Sequence, residues 1–214
     1  MNDNEVLQAL AAQHELDAHA LLRYAEEDAW FGWEGESDYL GSVWPEEGRV
    51  LYALVRYLKP DRVYEFGTSL GVSTTHIAAA IARNGSGDFV SIDIDPSAGS
   101  VIPDPLRAHV TLVTGDAALL DCEPCAFVFE DASHETDLVA ALTQKARGAL
   151  RDGGFCVHHD AMHYLIGDGV RAGIERGGIT SYTAFPTGRD NTPAGIHGVT
   201  GLAVWRKGVD DGNA

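Results

Sequence analysis

The stretch that decides the fold is Val63–Ala82, which reads VYEFGTSLGVSTTHIAAAIA. Its apolar beginning predicts a strand buried on both faces, and its end predicts a helix. Gly67 and Gly71 stand between the two, and glycine adopts backbone angles that residues with a Cβ avoid. The hydroxyl residues Ser73–Thr75 are expected to cap the helix. A strand, a glycine turn and a helix together indicate one unit of an α/β sheet.

The glycine spacing differs from the dinucleotide fingerprint G-x-G-x-x-G, which would place a pyrophosphate at the helix N-terminus. Glu65 comes just before the first glycine, so it is expected to place a negative charge at the mouth of the turn. This charge suits a ligand that carries a cation. A sulfonium cofactor with an amino-acid ammonium group therefore fits better than NAD.

Apolar strands and helices alternate along the rest of the chain, which predicts a mainly parallel, doubly wound α/β sheet. Further strands are predicted at Asp88–Ile94, Ala108–Val113, Ala126–Glu130, Phe155–His159, Ile179–Phe185 and Gly201–Trp205. Helices are predicted at Glu5–Asp28 (one or two), Pro45–Leu58, Leu138–Leu150 and, weakly, Val170–Glu175, with a turn at Arg151–Gly154. We expect residues 1–58 to form an N-terminal helical cap, residues 59–207 the core, and residues 208–214 a mobile tail.

Composition excludes several classes of partner. The formal net charge of −17 argues against binding to nucleic acid or to an anionic membrane. No apolar run is long enough to span a bilayer, and the polar N-terminus does not resemble a secretory signal. The three cysteines do not suggest a disulfide framework. Cys122-Glu-Pro-Cys125 precedes a strand rather than opening a helix, which disfavours a redox role. We expect a cytoplasmic protein.

The stretch from Trp30 to Trp44 is rich in aromatic residues spaced by glycines. It suits a pocket wall, a homodimer contact or ordinary packing of the cap on the core.

The motif EFGTSLGVST, from Glu65 to Thr74, resembles the first motif of class I S-adenosylmethionine-dependent methyltransferases. Within that class it resembles the catechol-type small-molecule O-methyltransferases and the related cephalosporin-hydroxylase-like group. The segment WPEEGRVLYALV before it resembles the helix that precedes the first strand in the catechol-type enzymes. The resemblance implies a Rossmann-like, seven-stranded sheet with an antiparallel last strand.

The resemblance also implies where S-adenosylmethionine binds. Its amino-acid end would lie at the glycine motif and beside the fourth strand, at Glu65, Gly67, Thr68, Ser69, Gly71, Ser73 and Asp131. An acid at the tip of the second strand can accept both ribose hydroxyls, and Asp93 holds that position, with Asp95 as the competing candidate. Asp116 and Ala117 would face the adenine edge.

Acids and histidines collect at the predicted carboxyl ends of the strands, where unpaired carboxylates need a cation, a proton or a hydrogen-bonding ligand. FVFEDASH, ending at His134, and LRDGGFCVHHDA, ending at Ala161, resemble the fourth- and fifth-strand motifs of metal-dependent O-methyltransferases. The resemblance assigns a metal to Asp131 and Asp160. Ala161 stands where the catechol enzymes have an asparagine ligand.

The identity of the third ligand, and the metal itself, stay open at this point. A histidine, namely His134, His159 or His163, could supply the third ligand and shift the preference from Mg²⁺ toward a transition metal. Alternatively, no metal binds and a histidine takes the substrate proton. His134, His159 and Asp160 are the predicted catalytic residues in either case.

The predicted function is methyl transfer from S-adenosylmethionine to a hydroxyl of a small molecule. The alternatives are an N-methyltransferase, a relative that uses the cofactor without methyl transfer, and a non-catalytic cofactor-binding protein.

Overall fold

A computed structural model of the chain describes residues 1–27, 42–162, 164–177, 182–190 and 199–208. The helices are α1 Asp3–His14, α2 Ala18–Glu27, α3 Pro45–Leu58, α4 Val72–Asn84, α5 Asp104–Arg107, α6 Thr136–Ala149 and α7 Tyr164–Gly177. The strands are β1 Arg62–Phe66, β2 Asp88–Asp93, β3 Thr111–Thr114, β4 Cys125–Glu130, β5 Leu150–His158, β6 Thr183–Asp190 and β7 Val199–Arg206.

Within the described ranges, seven strands form one sheet in the order β3-β2-β1-β4-β5-β7-β6. Strands β1 to β5 are parallel, whereas β7 runs antiparallel to both β5 and β6. This confirms the Rossmann-like sheet and its antiparallel last strand. The strand order reverses between β1 and β4, and ligands of open α/β sheets bind outside the carboxyl ends of the strands at such a point.

Several boundaries of the strands differ from the sequence prediction; for example, the sixth strand is Thr183–Asp190 rather than Ile179–Phe185. The third strand begins at Thr111 rather than at Ala108. Residues Arg151–Gly154, which we expected to form a turn, lie inside β5. Their backbone groups pair with the end of the last strand, since the Gly153 N–H donates to the Lys207 carbonyl (2.8 Å) and the Lys207 N–H to the Gly154 carbonyl (2.9 Å). Long-range pairing therefore overrides the local preference of Asp-Gly-Gly for a turn.

The N-terminal helices pack on one face of the sheet and share its apolar core. Leu7 of α1 and Leu51 of α3 are fully buried in the same cluster as Ile77 of α4 and Phe127 of β4. A second cluster, which includes Leu142 of α6, covers the opposite face. The division into a cap and a core at residue 58 stays a prediction. No helix within the described ranges is long and apolar enough to cross a membrane.

Most of the aromatic stretch from Trp30 to Trp44 lies outside the described residues, as do the predicted tail beyond residue 208 and His163.

Candidate active site

The carboxyl ends of β1, β4 and β5 meet at one edge of the sheet, where backbone hydrogen bonds join the residues that follow each strand. Gly67 donates its N–H to the carbonyl of Ile92 (2.8 Å), and Asp131 donates to the last residue of β1 (2.8 Å). His159 donates to the last residue of β4 (3.1 Å). The glycine turn, Asp131 and the His159–Asp160 pair are therefore neighbours in space.

At two positions in the turn after β1, neighbouring atoms approach the backbone too closely for any residue but glycine. Gly67 has φ +93°, and a Cβ at this position would stand 2.4 Å from the carbonyl oxygen of Asp131. Gly71 has φ +96°, and its Cβ would stand 2.5 Å from Ile102. Side chains at either position would be strained and would push apart the two strand ends that frame the site.

Glu65 lies beneath the turn rather than at its mouth, which corrects the expectation of an open negative charge there. Its carboxylate is buried and accepts hydrogen bonds from Ser73 Oγ (2.5 Å), Thr74 Oγ1 (2.6 Å) and Ser91 Oγ (2.5 Å). Burial raises the pKa of Glu65 to about 7, against the opposing effect of these hydroxyls. Glu65 therefore ties β1 to β2 and to the first turn of α4, and its direct contact with a cofactor stays a prediction.

The hydroxyl residues of the turn and of the first turn of α4 face the protein interior, except Ser69, which is exposed. Helix α4 begins after Gly71 without a side-chain cap, so the predicted capping by Ser73–Thr75 is wrong. Thr75 donates instead to the Gly71 carbonyl (2.6 Å), and Thr68 Oγ1 lies 2.5 Å from Ser91 Oγ. The Thr68 side chain is buried, so the turn faces the site mainly through its backbone.

Asp93 stands at the tip of β2 and contacts the glycine turn directly. Its Oδ2 accepts the backbone N–H groups of Thr68 (2.9 Å) and Ser69 (2.7 Å). The carboxylate of the competing candidate, Asp95, accepts instead from the backbone and side chain of Ser97, and these bonds lower its pKa. Of the two acids, the geometry places Asp93 beside the cofactor motif.

The residues predicted to face adenine follow β3, next to β2. The Gly115 N–H donates to the Asp93 carbonyl (2.8 Å), which brings this turn to the same edge of the sheet. Asp116 Oδ1 accepts the N–H of Ala118 (2.8 Å), and Ala117 is buried. The adenine contact itself stays a prediction.

Two aspartates and a histidine converge beside the glycine turn. One potential ligand atom from each of Asp131, His159 and Asp160 lies within 4.8 Å of the other two. His159 Nδ1 is 3.2 Å from Asp131 Oδ2 and 3.7 Å from Asp160 Oδ1. On its other side, His159 Nε2 is 2.9 Å from Oε2 of Glu47 in α3. His134 Nε2 is 3.1 Å from Asp160 Oδ2 on the solvent side, where the His134 ring is half-exposed.

Residues 64–161, which contain both the glycine turn and this cluster, match the family model described as a methyltransferase domain. This part of the chain is therefore similar to a methyltransferase domain. The whole sheet and its flanking helices have the fold of class I S-adenosylmethionine-dependent methyltransferases. The O-methyltransferase TomG from Streptomyces achromogenes, solved in complex with S-adenosylmethionine, superposes with a TM-score of 0.59. That likeness holds at 21% identity over 88% of this chain and 90% of TomG.

Two curated proteins are similar over part of their length. The chain is 34% identical over 113 residues to the ribosomal protein L11 methyltransferase of Pelotomaculum thermopropionicum. It is 31% identical over 126 residues to the human transmembrane O-methyltransferase. The matched segments cover 50% and 56% of this chain, but only 35% and 41% of the two relatives.

The titratable groups of the candidate site lie in contrasting environments. Burial would lower the pKa of His159, but the carboxylates of Asp131 and Glu47 outweigh it and raise that pKa well above the ordinary value. Burial raises the pKa of Asp131, against the opposing effect of His159. The hydrogen bond that His134 donates to Asp160 raises the pKa of His134.

The backbone of Asp160 is itself unusual. It adopts a left-handed conformation with φ 50°, which is uncommon outside glycine and costs some stability. Such strain is concentrated at functional sites.

Sequence reasoning missed two features that support the candidate site. For Glu47, the sequence predicted only a place in the helix Pro45–Leu58. A second buried network lies on the neighbouring positions, where Trp205 Nε1–H donates to His158 Nε2 (3.0 Å) and His158 Nδ1 lies 3.0 Å from Glu130 Oε2. Since Trp205 is only a donor, His158 Nε2 is unprotonated and Nδ1–H donates to Glu130. This network links β7 and β5 to β4.

The cysteines show no sign of thiolate chemistry. Cys122, Cys125 and Cys156 are not joined by disulfides. Burial raises the pKa of Cys125 to about 12 and raises that of Cys122 as well. High thiol pKa values disfavour the reactive thiolate, consistent with the structural interpretation of C-x-x-C.

Proposed function

We propose that this protein transfers a methyl group from S-adenosylmethionine to a hydroxyl of a small molecule, with the assistance of a divalent metal. One observation carries the proposal: the Asp131–His159–Asp160 cluster stands beside the glycine turn at the point where the strand order reverses. This arrangement brings groups that can activate an acceptor next to groups that can hold the methyl donor.

The chain offers a connected set of groups for S-adenosylmethionine. Gly67 and Gly71 shape a turn whose backbone faces the site, and Asp93 reaches that turn from the tip of β2. A carboxylate has about four lone-pair positions, so Asp93 can accept ribose hydroxyls in addition to its bonds to the turn. When bound, the cofactor supplies an activated methyl group on a sulfonium with a good leaving group.

The cluster also fits a divalent metal. Carboxylate oxygens of Asp131 and Asp160 would hold it, together with the buried Nδ1 of His159, which has no hydrogen-bond partner among the described residues. A bound metal would lower the pKa of an acceptor hydroxyl. Two carboxylates and one nitrogen are a donor set that proteins use for such ions.

His134 is the residue placed to receive the proton of the acceptor. Its ring is half-exposed at the edge of the cluster, whereas His159 is enclosed between carboxylates. In the tautomer that donates Nε2–H to Asp160, the other ring nitrogen carries a lone pair that can accept a proton. Asp160 orients this base, which is the usual role of a third group in such a relay. A histidine base without a metal is the rival mechanism.

A methyl-transfer assay tests the proposed function. Purified protein is incubated with methyl-labelled S-adenosylmethionine and a panel of phenols, sugars, amines and a small ribosomal protein. We expect label on hydroxyl compounds and release of S-adenosylhomocysteine. Label on amines or on the ribosomal protein alone would support an N-methyltransferase. Cofactor binding without transfer to any acceptor would support a non-catalytic binding protein.

The quaternary structure and compartment are also proposals. A homodimer rests on the aromatic stretch from Trp30 to Trp44, and a cytoplasmic location rests on composition. Sedimentation that shows only monomer at micromolar concentration would contradict the dimer.

A further inference from the structure

Ala161 follows Asp160, and its methyl group cannot bind a metal. We infer that His159, oriented by Glu47, supplies the third protein ligand, and that the site selects a transition-metal dication over Mg²⁺. This inference rests on the metal assistance in the proposed function and extends it to the identity of the ligand and the class of metal.

The separations within the cluster suit ligands of one ion. Two ligands at about 2.1 Å from an ion, with an angle of 90–109° between them, stand about 3.0–3.4 Å apart. His159 Nδ1 is 3.2 Å from Asp131 Oδ2 and 3.7 Å from Asp160 Oδ1. One potential ligand atom from each of the three residues lies within 4.8 Å of the other two, so small side-chain adjustments would bring all three to one ion.

The two nitrogens of His159 have different surroundings. Nε2 is 2.9 Å from the buried Glu47 carboxylate, to which it donates. Nδ1 is buried, points toward the two aspartates and lacks hydrogen-bond geometry to any described residue. A neutral ring with its proton on Nε2 would present the Nδ1 lone pair to the cluster. A metal-bound histidine generally donates its other N–H to a carboxylate, as His159 does here.

Glu47 is held in place by the start of α3. It is the third residue of that helix, and its Oε2 accepts the Trp44 N–H (2.8 Å) as part of a capping box. The side chains of Glu47 and His159 are both fully buried. Their packing fixes the plane of the imidazole and the direction of Nδ1. Glu47 is therefore a positioning residue for the metal ligand.

A nitrogen ligand makes the site favour a transition metal over Mg²⁺. Mg²⁺ prefers six oxygen ligands and releases its water reluctantly, whereas imidazole suits Fe²⁺, Ni²⁺ and Zn²⁺ better. His134 does not provide a comparable donor, since it contacts Asp160 from the solvent side and is not one of the three converging residues.

Direct metal binding to the full chain tests this inference without relying on turnover. Chelator-treated protein is titrated by calorimetry with Mn²⁺, Zn²⁺ and Mg²⁺, and pulsed electron paramagnetic resonance is recorded on the Mn²⁺-loaded wild-type protein. We expect Zn²⁺ to bind at least about tenfold more tightly than Mg²⁺, and Mn²⁺ to bind less tightly than Zn²⁺. In the pulsed electron paramagnetic resonance spectrum, we also expect hyperfine coupling between the Mn²⁺ electron spin and one imidazole nitrogen. Preference for Mg²⁺, or the absence of nitrogen coupling in the wild-type protein, would overturn the inference without requiring a folded variant.

Matched variants distinguish the metal ligand, His159, from the residue that orients it, Glu47. His159→Gln should remove the nitrogen coupling, and His109→Gln, at an exposed histidine, should leave it intact. Glu47→Gln should weaken metal binding by about 10–100-fold while the nitrogen coupling persists, as expected of a residue that acts through the ligand. Nitrogen coupling that survives in a folded His159→Gln protein would assign the ligand to another histidine and refute the proposal.

Methyl transfer measured in parallel distinguishes the failure of this inference from the failure of the proposed function. Transfer that continues in chelator with no metal bound would overturn the metal site and leave the methyltransferase. A nitrogen-ligated metal in a protein that transfers no methyl group would support the site and count against the activity.

Discussion

Nε2 of His159 lies 2.9 Å from Oε2 of Glu47, although 112 residues separate the two along the chain. The contact joins a helix of the predicted N-terminal cap to the end of β5, at the centre of the candidate site. Glu47 accepts the Trp44 N–H at the start of α3 and also orients His159. Loss of α3 from the sheet would therefore disturb the site as well as the core.

Asp93→Ala should weaken the binding of S-adenosylmethionine by about 1–3 kcal/mol, because the ribose hydroxyls and the turn would both lose their acceptor. Calorimetry measures the affinity. Asp95→Ala is the matched control, and it should bind normally because the Asp95 carboxylate contacts Ser97 instead. Unchanged affinity in Asp93→Ala would show that the ribose lies elsewhere.

Gly67→Ala should destabilise the fold more than Gly85→Ala does. Both glycines have positive φ, which costs alanine about 1–2 kcal/mol. Only at Gly67 would the new Cβ also meet the carbonyl oxygen of Asp131. Urea unfolding of the two variants compares their free energies of unfolding, and equal losses would mean that the contact with Asp131 relaxes without cost.

Glu65→Gln should flatten the dependence of stability on pH between about pH 4.5 and 7. The pKa of Glu65 is raised in the folded state from 4.5 to about 7. The folded protein therefore holds this proton more tightly than the unfolded chain, and stability falls as the pH rises through that window, by on the order of 3 kcal/mol. Urea unfolding at several pH values measures the slope.

The exposed Glu26 provides the control for that experiment, since Glu26→Gln removes the same charge at the surface. A Glu65→Gln protein with the wild-type slope would mean that another group governs the pH dependence.

His134→Ala should lower kcat by about 10²–10⁴-fold while leaving the affinity for S-adenosylmethionine unchanged, because the residue accepts a proton and is not part of the cofactor motif. His109→Ala, at an exposed histidine, controls for loss of an imidazole. Steady-state kinetics and calorimetry give the two quantities. A normal kcat in His134→Ala would remove it as the base.

Chelation should abolish turnover, and a transition metal should restore it, because the acceptor hydroxyl would lose the cation that lowers its pKa. Asp160→Ala should be inactive while still binding S-adenosylmethionine, since it removes a metal ligand and the support of His134. Full activity in chelator would favour a histidine base acting alone.

Local patterns in the sequence determined much of the architecture. The apolar run before Gly67, the glycines of the turn and the apolar spacing of α4 depend on residues close in the chain, and each formed as predicted. The acids and histidines that follow parallel strands were also predictable as neighbours, because the carboxyl ends of such strands share one edge. Asp131 and Asp160 lie close together at that edge for this reason.

Only the tertiary structure decided where particular side chains point and what they contact. Glu65 faces inward because hydroxyls from β2 and α4 converge beneath the turn. Residues Arg151–Gly154 extend β5 because the distant Lys207 pairs with them. His159, rather than His134, faces both aspartates because Glu47 turns its ring from the opposite side. These contacts join segments that are far apart in the chain, so local sequence patterns cannot predict them.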